Sequence, residues 1–333
     1  MSDSYPLIRS SLLSGFPALV KDLDGTLDEI LEEAGLSLEQ IEQPTLLIPF
    51  EKQIRLLQLA ADSCRFEQFG LELAKRQDMA VFGALSLLAI NCNSVLSGLM
   101  LFGRHLHYSV QAVKLEIREK NNLGYLIVDT PYEFAAESSQ FWDHAVALAY
   151  SMIRMLCGEN WVPRSVHLTR SQPQKSGSYS RYFRSPVAFN SEFSGVVFES
   201  KVLAQSISSS MSAVPYQLRE YLRKNFEGDF LQQVRRIINS LLSTQACTAA
   251  TVADCLGISL RTLQRKLQGE NTSFQQQLDK IRTELAVSYL QEPQFRLTDI
   301  SELLGFSELS VFSRAFKGWF GVTPSQWRAR RFR

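Results

Sequence analysis

The chain has 333 residues, 45% hydrophobic and 21% charged, which is room for about two ordinary domains and excludes collagen, coiled-coil rods and wholly disordered chains. Its 35 Lys plus Arg against 34 Asp plus Glu leave a net charge of +1, so no overall polybasic or polyacidic character points to a partner. The distribution is uneven: up to residue 225 there are 21 basic and 24 acidic residues, and after it 14 and 10, so the C-terminal third is the basic part.

In chain order, MSDSYPLIRSSLLSGF lacks a basic stretch, apolar core and cleavage site, so a cytoplasmic protein is expected. Residues 51 to 61 put Ile54, Leu57 and Ala61 at helical spacing. Residues 80 to 103 carry no charge and are long enough to cross a bilayer, but Asn91, Asn93 and Ser94 sit at the centre of that stretch. Unpaired polar groups there would cost several kcal/mol in hydrocarbon, so we read two buried helices, the second capped by Asn93-Ser94, and no membrane partner. Val113, Leu115 and Ile117 then alternate with Lys114, Glu116 and Arg118, a turn is expected at Asn121-Asn122 and Gly124, and Tyr125 to Val128 complete a hairpin. Residues 137 to 157 form an amphipathic helix, and 166 to 168 and 196 to 198 are short strands. The N-terminal region is therefore α+β. Five serines in residues 206 to 212, followed by Pro215, mark a linker at 201–228 between a domain at 1–200 and one at 229–333.

Beyond the linker the pattern is wholly helical and contains a repeat. VADCLGISLRTLQRKL begins at Val252 and ISELLGFSELSVFSRAF at Ile300. In each, a short helix ends in Leu-Gly, at Gly257 or Gly305, and an apolar residue and a serine precede a second helix. The geometry is a helix-turn-helix, at about 248–268 and 298–320. Glycine suits the left-handed end of the first helix, while Ser259 and Ser307 are expected to cap the second helices and Thr248 and Thr298 the first. On the second helices, Leu260, Leu263 and Leu267 share one side, as do Leu309, Phe312, Phe316 and Trp319. Opposite them lie Arg261, Arg265 and Gln268 in one helix, and Ser310, Arg314 and Lys317, flanked by Ser313, in the other. Arg265 and Arg314 are equivalent, 49 residues apart, one more than the two glycines. Outward arginines on such helices suit guanine or phosphate. A solvated amphipathic face is the common fate of a lone arginine pair, but the duplication, the basic balance and the two turns argue against it here. Ser273 to Gln291 forms a connecting helix, on which Arg282 is expected in a structural ion pair. Thr323-Pro324 should cap and begin a last helix, followed by the basic cluster Arg328, Arg330, Arg331 and Arg333.

These residues carry a resemblance. TLQRKL, TSFQQQLDKIRTELAVSYL and above all LGFSELSVFSRAFKGWFGVTPSQWR make residues 229–333 similar to the DNA-binding domain of the AraC/XylS family of bacterial transcription regulators. The resemblance implies seven helices, two helix-turn-helix units on a rigid connector, and recognition helices in successive major-groove segments of double-stranded promoter or operator DNA. Carried over, the base-reading positions are Arg261, Gln264 and Arg265, then Ser310, Ser313 and Arg314; Thr262, Gln268, Lys317 and Arg328 are expected on the DNA backbone. The N-terminal region resembles, through LSLEQIEQPTLLIPFEKQIRLLQLA and VPRSVHLTRSQP followed by YFRSPVAFNSEFSGVVFESKVL, the effector domain of the branch that holds regulators of ornithine utilisation and of the mycobacterial VirS type.

The expected protein is a nucleoid-associated transcription regulator, an activator working with RNA polymerase, with no cofactor or metal. A small-molecule effector or self-association as a homodimer would control it. The alternatives are a ligand-independent dimeric DNA binder and an enzyme localised by its DNA-binding domain. GxSxG, HExxH, P-loop and GxGxxG patterns are absent. His105 and His107, two apart, point in different directions on a helix and make a poor metal pair. Tyr132, Phe134, Phe141 and Trp142 could line an effector pocket, but core packing explains them equally well.

Overall fold

Asn121 and Asn122 take positive φ of 53° and 61°, the conformation that a two-residue hairpin turn matching the strand twist requires and that asparagine tolerates. The structure, a computed structural model, describes residues 6–44, 46–90, 92–133, 138–207, 230–242, 247–256, 258–290 and 296–331. The serine-rich segment beyond residue 207, Gly257 and Phe134 lie outside the described residues. Chain contacts separate two units, one within residues 5–222 and one within 223–333, and each is described by itself.

The N-terminal unit opens with β1 (Leu7–Arg9), which pairs with β2 (Leu47–Pro49) around three helices, α1 (Phe16–Asp22), α2 (Leu27–Ala34) and α3 (Leu38–Glu42). Then follow α4 (Phe50–Ser63), α5 (Phe69–Arg76), α6 (Ala84–Ile90) and α7 (Val95–His105). The uncharged stretch is thus two helices, and Ser94 caps the second by accepting the Ser97 N–H at 3.2 Å. No helix among the described residues is long and apolar enough to cross a membrane.

The hairpin is β3 (Lys114–Lys120) and β4 (Leu123–Asp129), so Gly124 belongs to the strand and the two asparagines alone make the turn. After α8 (Ser139–Cys157) come β5 (Ser165–His167), α9 (Gly177–Phe183), β6 (Val187–Ala188) and β7 (Ser194–Glu199). The sheet order is β3-β4-β7-β5-β6, antiparallel except for β5 and β6. The charged residues of β3 are exposed, which blunts that edge against further pairing.

The core is built around α8. Residues on every side of it are buried, including Phe141, Val146, Ala147, Tyr150, Met152 and Ile153, as expected of a helix inside a domain rather than on its surface. Asp143 on this helix pairs through Oδ2 with Arg170 and accepts the Tyr179 hydroxyl, which pins α9 and the loop after β5, while its Oδ1 and the Tyr150 hydroxyl have no partner. Burial raises the Asp143 carboxyl to about 7, opposed by the Arg170 charge. Val202, Leu203 and Ile207 also join this core.

Helix α5 approaches α8 closely because residue 70 has no side chain. A Cβ there would sit 1.9 Å from the Gln140 carbonyl oxygen, and the Gly70 N–H donates to Gln140 Oε1 at 2.9 Å. Gly70→Ala should therefore force the helices apart and destabilise this unit by about 3 kcal/mol. Hydrogen exchange checks this: protection of α8 amides should fall while those of the C-terminal unit stay unchanged.

Candidate nucleic-acid interface

The C-terminal unit holds seven helices among the described residues: α10 (Phe230–Leu241), α11 (Ala249–Cys255), α12 (Leu260–Gly269), α13 (Phe274–Leu290), α14 (Leu297–Leu303), α15 (Leu309–Phe320) and α16 (Pro324–Arg331). Val234, Ile237, Ile238 and Leu241 bury one face of α10, and Arg235 grips Glu284 of α13 through both carboxylate oxygens at 2.7 and 3.0 Å. The last helix begins as its sequence suggests: Thr323 Oγ1 accepts the Gln326 N–H while Gln326 Oε1 accepts that of Thr323.

The helix pairs α11–α12 and α14–α15 are the two helix-turn-helix units. The same bond closes the first helix of each, from Ile258 N–H to the Ala253 carbonyl (3.1 Å) and from Phe306 N–H to the Ser301 carbonyl (3.0 Å). It is the six-to-one bond that ends helices through a left-handed residue, and Gly305 is that residue, with φ +70°. In the first unit, Thr248 caps α11 and Ser259 caps α12, accepting the N–H of Thr251 and of Thr262.

The second unit caps differently, and two expectations are corrected. Thr298 lies inside α14; the cap position is Arg296, whose N–H is accepted by the Asp299 carboxylate at 3.2 Å. Ser307 does not cap α15 either. Glu308 occupies the cap position and makes no side-chain cap bond. The cause is the one extra residue between the glycine and the recognition helix, which moves the start of α15 past the serine. That extra residue is legible in the sequence as the difference between the glycine spacing and the arginine spacing.

Arg282 is also corrected. It is structural, but its partners are carbonyls rather than a carboxylate: Nε donates to Leu304 O at 2.9 Å and Nη2 to Gly305 O at 3.1 Å. The guanidinium lies 4.2 Å from the Phe306 ring centre, and burial lowers its pKa. Gly305 is held from the other side as well, since a Cβ on it would sit 2.0 Å from the Leu242 carbonyl oxygen at the end of α10.

With the backs of both recognition helices buried through Leu263, Leu267, Phe312 and Phe316, their opposite faces are free. Arg261, Gln264, Arg265 and Gln268 are exposed on α12, and Ser310, Arg314 and Lys317 on α15, with Ser313 half-buried. Every member of one set lies 49 residues from its counterpart in the other. The two faces are thus the same helical stripe, repeated. The Thr262 hydroxyl is 2.9 Å from that of Ser259, within the cap. Ser310 donates to Glu308 Oε2 at 3.0 Å, a neighbour that helical periodicity did not suggest.

Leu260 and Leu309 depart from the periodic reading, which puts them inside: they are 40% and 36% exposed. Each is the first residue of its helix, and a helical side chain leans back over the preceding turn, which is missing there. No other large hydrophobic among the described residues of this unit is exposed to that degree. Arg328, on α16, is half-buried, and its Nε and Nη2 have no hydrogen-bond partner.

In the N-terminal unit Tyr132 is 42% exposed, while Phe141 is buried edge-on to Phe50 with ring centres 5.1 Å apart, packs on Trp142 and lines a small cavity.

Residues 25–207 match the family described as "Arabinose-binding domain of AraC transcription regulator, N-term", and residues 252–330 a family described as "Helix-turn-helix domain". The HTH-type transcriptional regulator VirS of Mycobacterium tuberculosis is 26% identical over 97% of this chain and 96% of its own length. The ornithine utilization regulator of Pseudomonas aeruginosa is 23% identical over 93% of each. Among solved structures, the transcriptional regulator CdpR from Pseudomonas aeruginosa is similar at 18% identity and a TM-score of 0.41, covering 91% of this chain and 96% of that one.

Gly305→Ala combines a left-handed φ with a backbone overlap, so it should cost at least about 3 kcal/mol. Amide exchange in α14 and α15 should accelerate while α8 stays protected. An alanine variant with unchanged exchange would show that the turn is not held as described.

Proposed function

Because the chain belongs to the AraC family of transcription regulators, we propose that it reads promoter or operator duplex DNA through α12 and α15, each in its own major-groove segment, roughly 10 base pairs apart. One observation carries this reading: the same exposed polar stripe occurs twice at a constant offset on helices whose backs are buried. Arg261, Gln264 and Arg265, with Ser310, Ser313 and Arg314, face base edges. Arginine can grip guanine O6 and N7 with two bonds, while glutamine and serine offer adaptable donors and acceptors. Leu260 and Leu309, exposed at the heads of the two helices, suit the C5-methyl of thymine. Thr262, Gln268, Lys317 and Arg328 serve the phosphates. Burial disfavours the charge of Arg328, a cost that a nearby phosphate would offset.

In this reading residues 229–333 are the DNA-binding domain, and the effector domain extends past residue 200 to about 207, since Val202, Leu203 and Ile207 belong to its core, with the linker beyond it; the protein works in the cytoplasm as an activator and a dimer. Arabinose is in the description of the matched domain family; the ligand of this chain need not be that sugar. Footprinting of the full chain on duplexes selected from a random pool tests the proposal. Two protected major-groove segments on one face of the duplex are expected, and protection of a single segment would contradict it.

The residue roles separate by the kind of loss. Arg265→Ala and Arg314→Ala should each cost about 1 to 3 kcal/mol at one base pair and relax preference there. Lys317→Ala and Arg328→Gln should weaken all sequences alike and reduce the salt slope by about one unit each. Titrations of operator variants at several salt concentrations distinguish these outcomes. A uniform loss from the Arg265 or Arg314 variants would overturn their base-reading roles.

A further inference from the structure

A small cavity in the N-terminal unit lies between α8, α4 and the first strands of the sheet. Its volume is about 40 Å³, and of the fifteen residues lining it only Gln53 and His144 have polar side chains. The rest of the wall is hydrocarbon, for example Ile8, Phe82, Val128 and Met152.

The two polar residues are buried, 1% and 2% exposed, and each carries an acceptor atom. Gln53 Oε1 has no hydrogen-bond partner. His144 Nε2 lies 2.8 Å from Gln77 Oε1. The Gln77 amide nitrogen donates to the Leu12 and Ser14 carbonyls at 3.1 and 2.8 Å, so its oxygen is the atom facing the ring. The imidazole proton therefore sits on Nε2, and Nδ1 carries a lone pair. Burial lowers this histidine to about 4, so the ring is neutral near pH 7.

An unpaired acceptor in an apolar cavity is costly, and each such group calls for an occupant. Water is a poor one, because a buried water is held by two to four polar partners and this wall is almost wholly alkyl or aromatic. A sugar would bring several hydroxyls to two acceptors. An ion would find no countercharge. About 40 Å³, against roughly 10 to 15 Å³ for one water, gives room for a group of a few atoms, and the unbranched Met152 can shift to admit more.

We propose that this cavity is the effector site, and that it takes a small neutral molecule, apolar over most of its surface, that donates one hydroxyl or N–H to Gln53. The proposal rests on the reading that the N-terminal domain receives a small-molecule signal, and it names the chemistry of that signal.

The test uses the full chain labelled at methionine methyls, with Met152 assigned through Met152→Leu. The probes are 1-propanol and L-arabinose at matched concentrations. We expect a saturable shift of the Met152 resonance with 1-propanol and none with arabinose. Gln53→Leu should raise the melting temperature of the N-terminal unit, because it removes an unpaired acceptor, and should weaken 1-propanol about tenfold. An unmoved Met152 resonance, an equal response to arabinose, unchanged affinity in Gln53→Leu or a lowered melting temperature would each overturn the proposal. Duplex binding by the same preparations is read separately: its absence would defeat the regulator reading and leave the cavity result standing.

Discussion

The direction of α15 within the C-terminal unit depends on one contact, that of Arg282 with the turn that precedes the helix. One half-buried guanidinium on the connecting helix binds the carbonyl of Leu304, the C-cap of α14, and the carbonyl of the turn glycine, and lies over the ring of the next residue. The carbonyls at a helix end lack partners within the helix, so an arginine there satisfies them while fixing the turn. Gly305 completes the clamp by allowing the end of α10 to approach closely. Three helices thus meet at one turn, and the stripe on α15 inherits its direction from that meeting. The bidentate Arg235–Glu284 pair ties α10 to the connector a second time, but at a more exposed position where an ion pair contributes little.

Much of this was legible in the sequence because a repeat doubles every signal. Two Leu-Gly turns, two apolar backs and two outward polar faces can be aligned against each other. What the repeat could not supply was the difference between its copies. The extra residue before α15 displaces Ser307 from the cap and brings Glu308 to it, so a motif that is correct in the first unit misleads in the second. Leu260 and Leu309 failed for another reason: helical periodicity assumes a turn on either side, and the first residue of a helix has only one. The partners of Arg282 were beyond reach because backbone carbonyls leave no trace in residue type, so an arginine beside an apolar stripe suggests a carboxylate by default.

The N-terminal unit shows the converse. Its hairpin and its long helix follow from alternation and from 3.6-residue periodicity, yet its chemistry is almost invisible in one dimension. Nothing in residues 53, 77 and 144 suggests that they meet. Likewise, Asp143, Arg170 and Tyr179 read as separate polar residues, and only the fold turns them into one buried group. Gly70 resembles any helix residue with low propensity until Gln140 is found against it. The exposed stripes of the C-terminal unit form a periodic, local pattern, whereas the polar groups of the N-terminal unit are dispersed in sequence and meet only through the fold. That difference is why the stripes are legible in the sequence and most of the N-terminal polar contacts are not.

If a rigid connector fixes the spacing at which the two helices read DNA, a spacing series tests it most directly. Base pairs are inserted one at a time between the two contacted segments of a selected duplex, and the affinity of the full chain is measured at constant salt. A rigid connector predicts that a single insertion already weakens binding and that five reduce it to the level of a duplex carrying only one segment, because each base pair turns the second segment by about a tenth of a helical turn. Affinity that stays level across the series would mean that the helices are flexibly tethered, and would contradict the role of Arg282 and the connecting helix in setting their spacing.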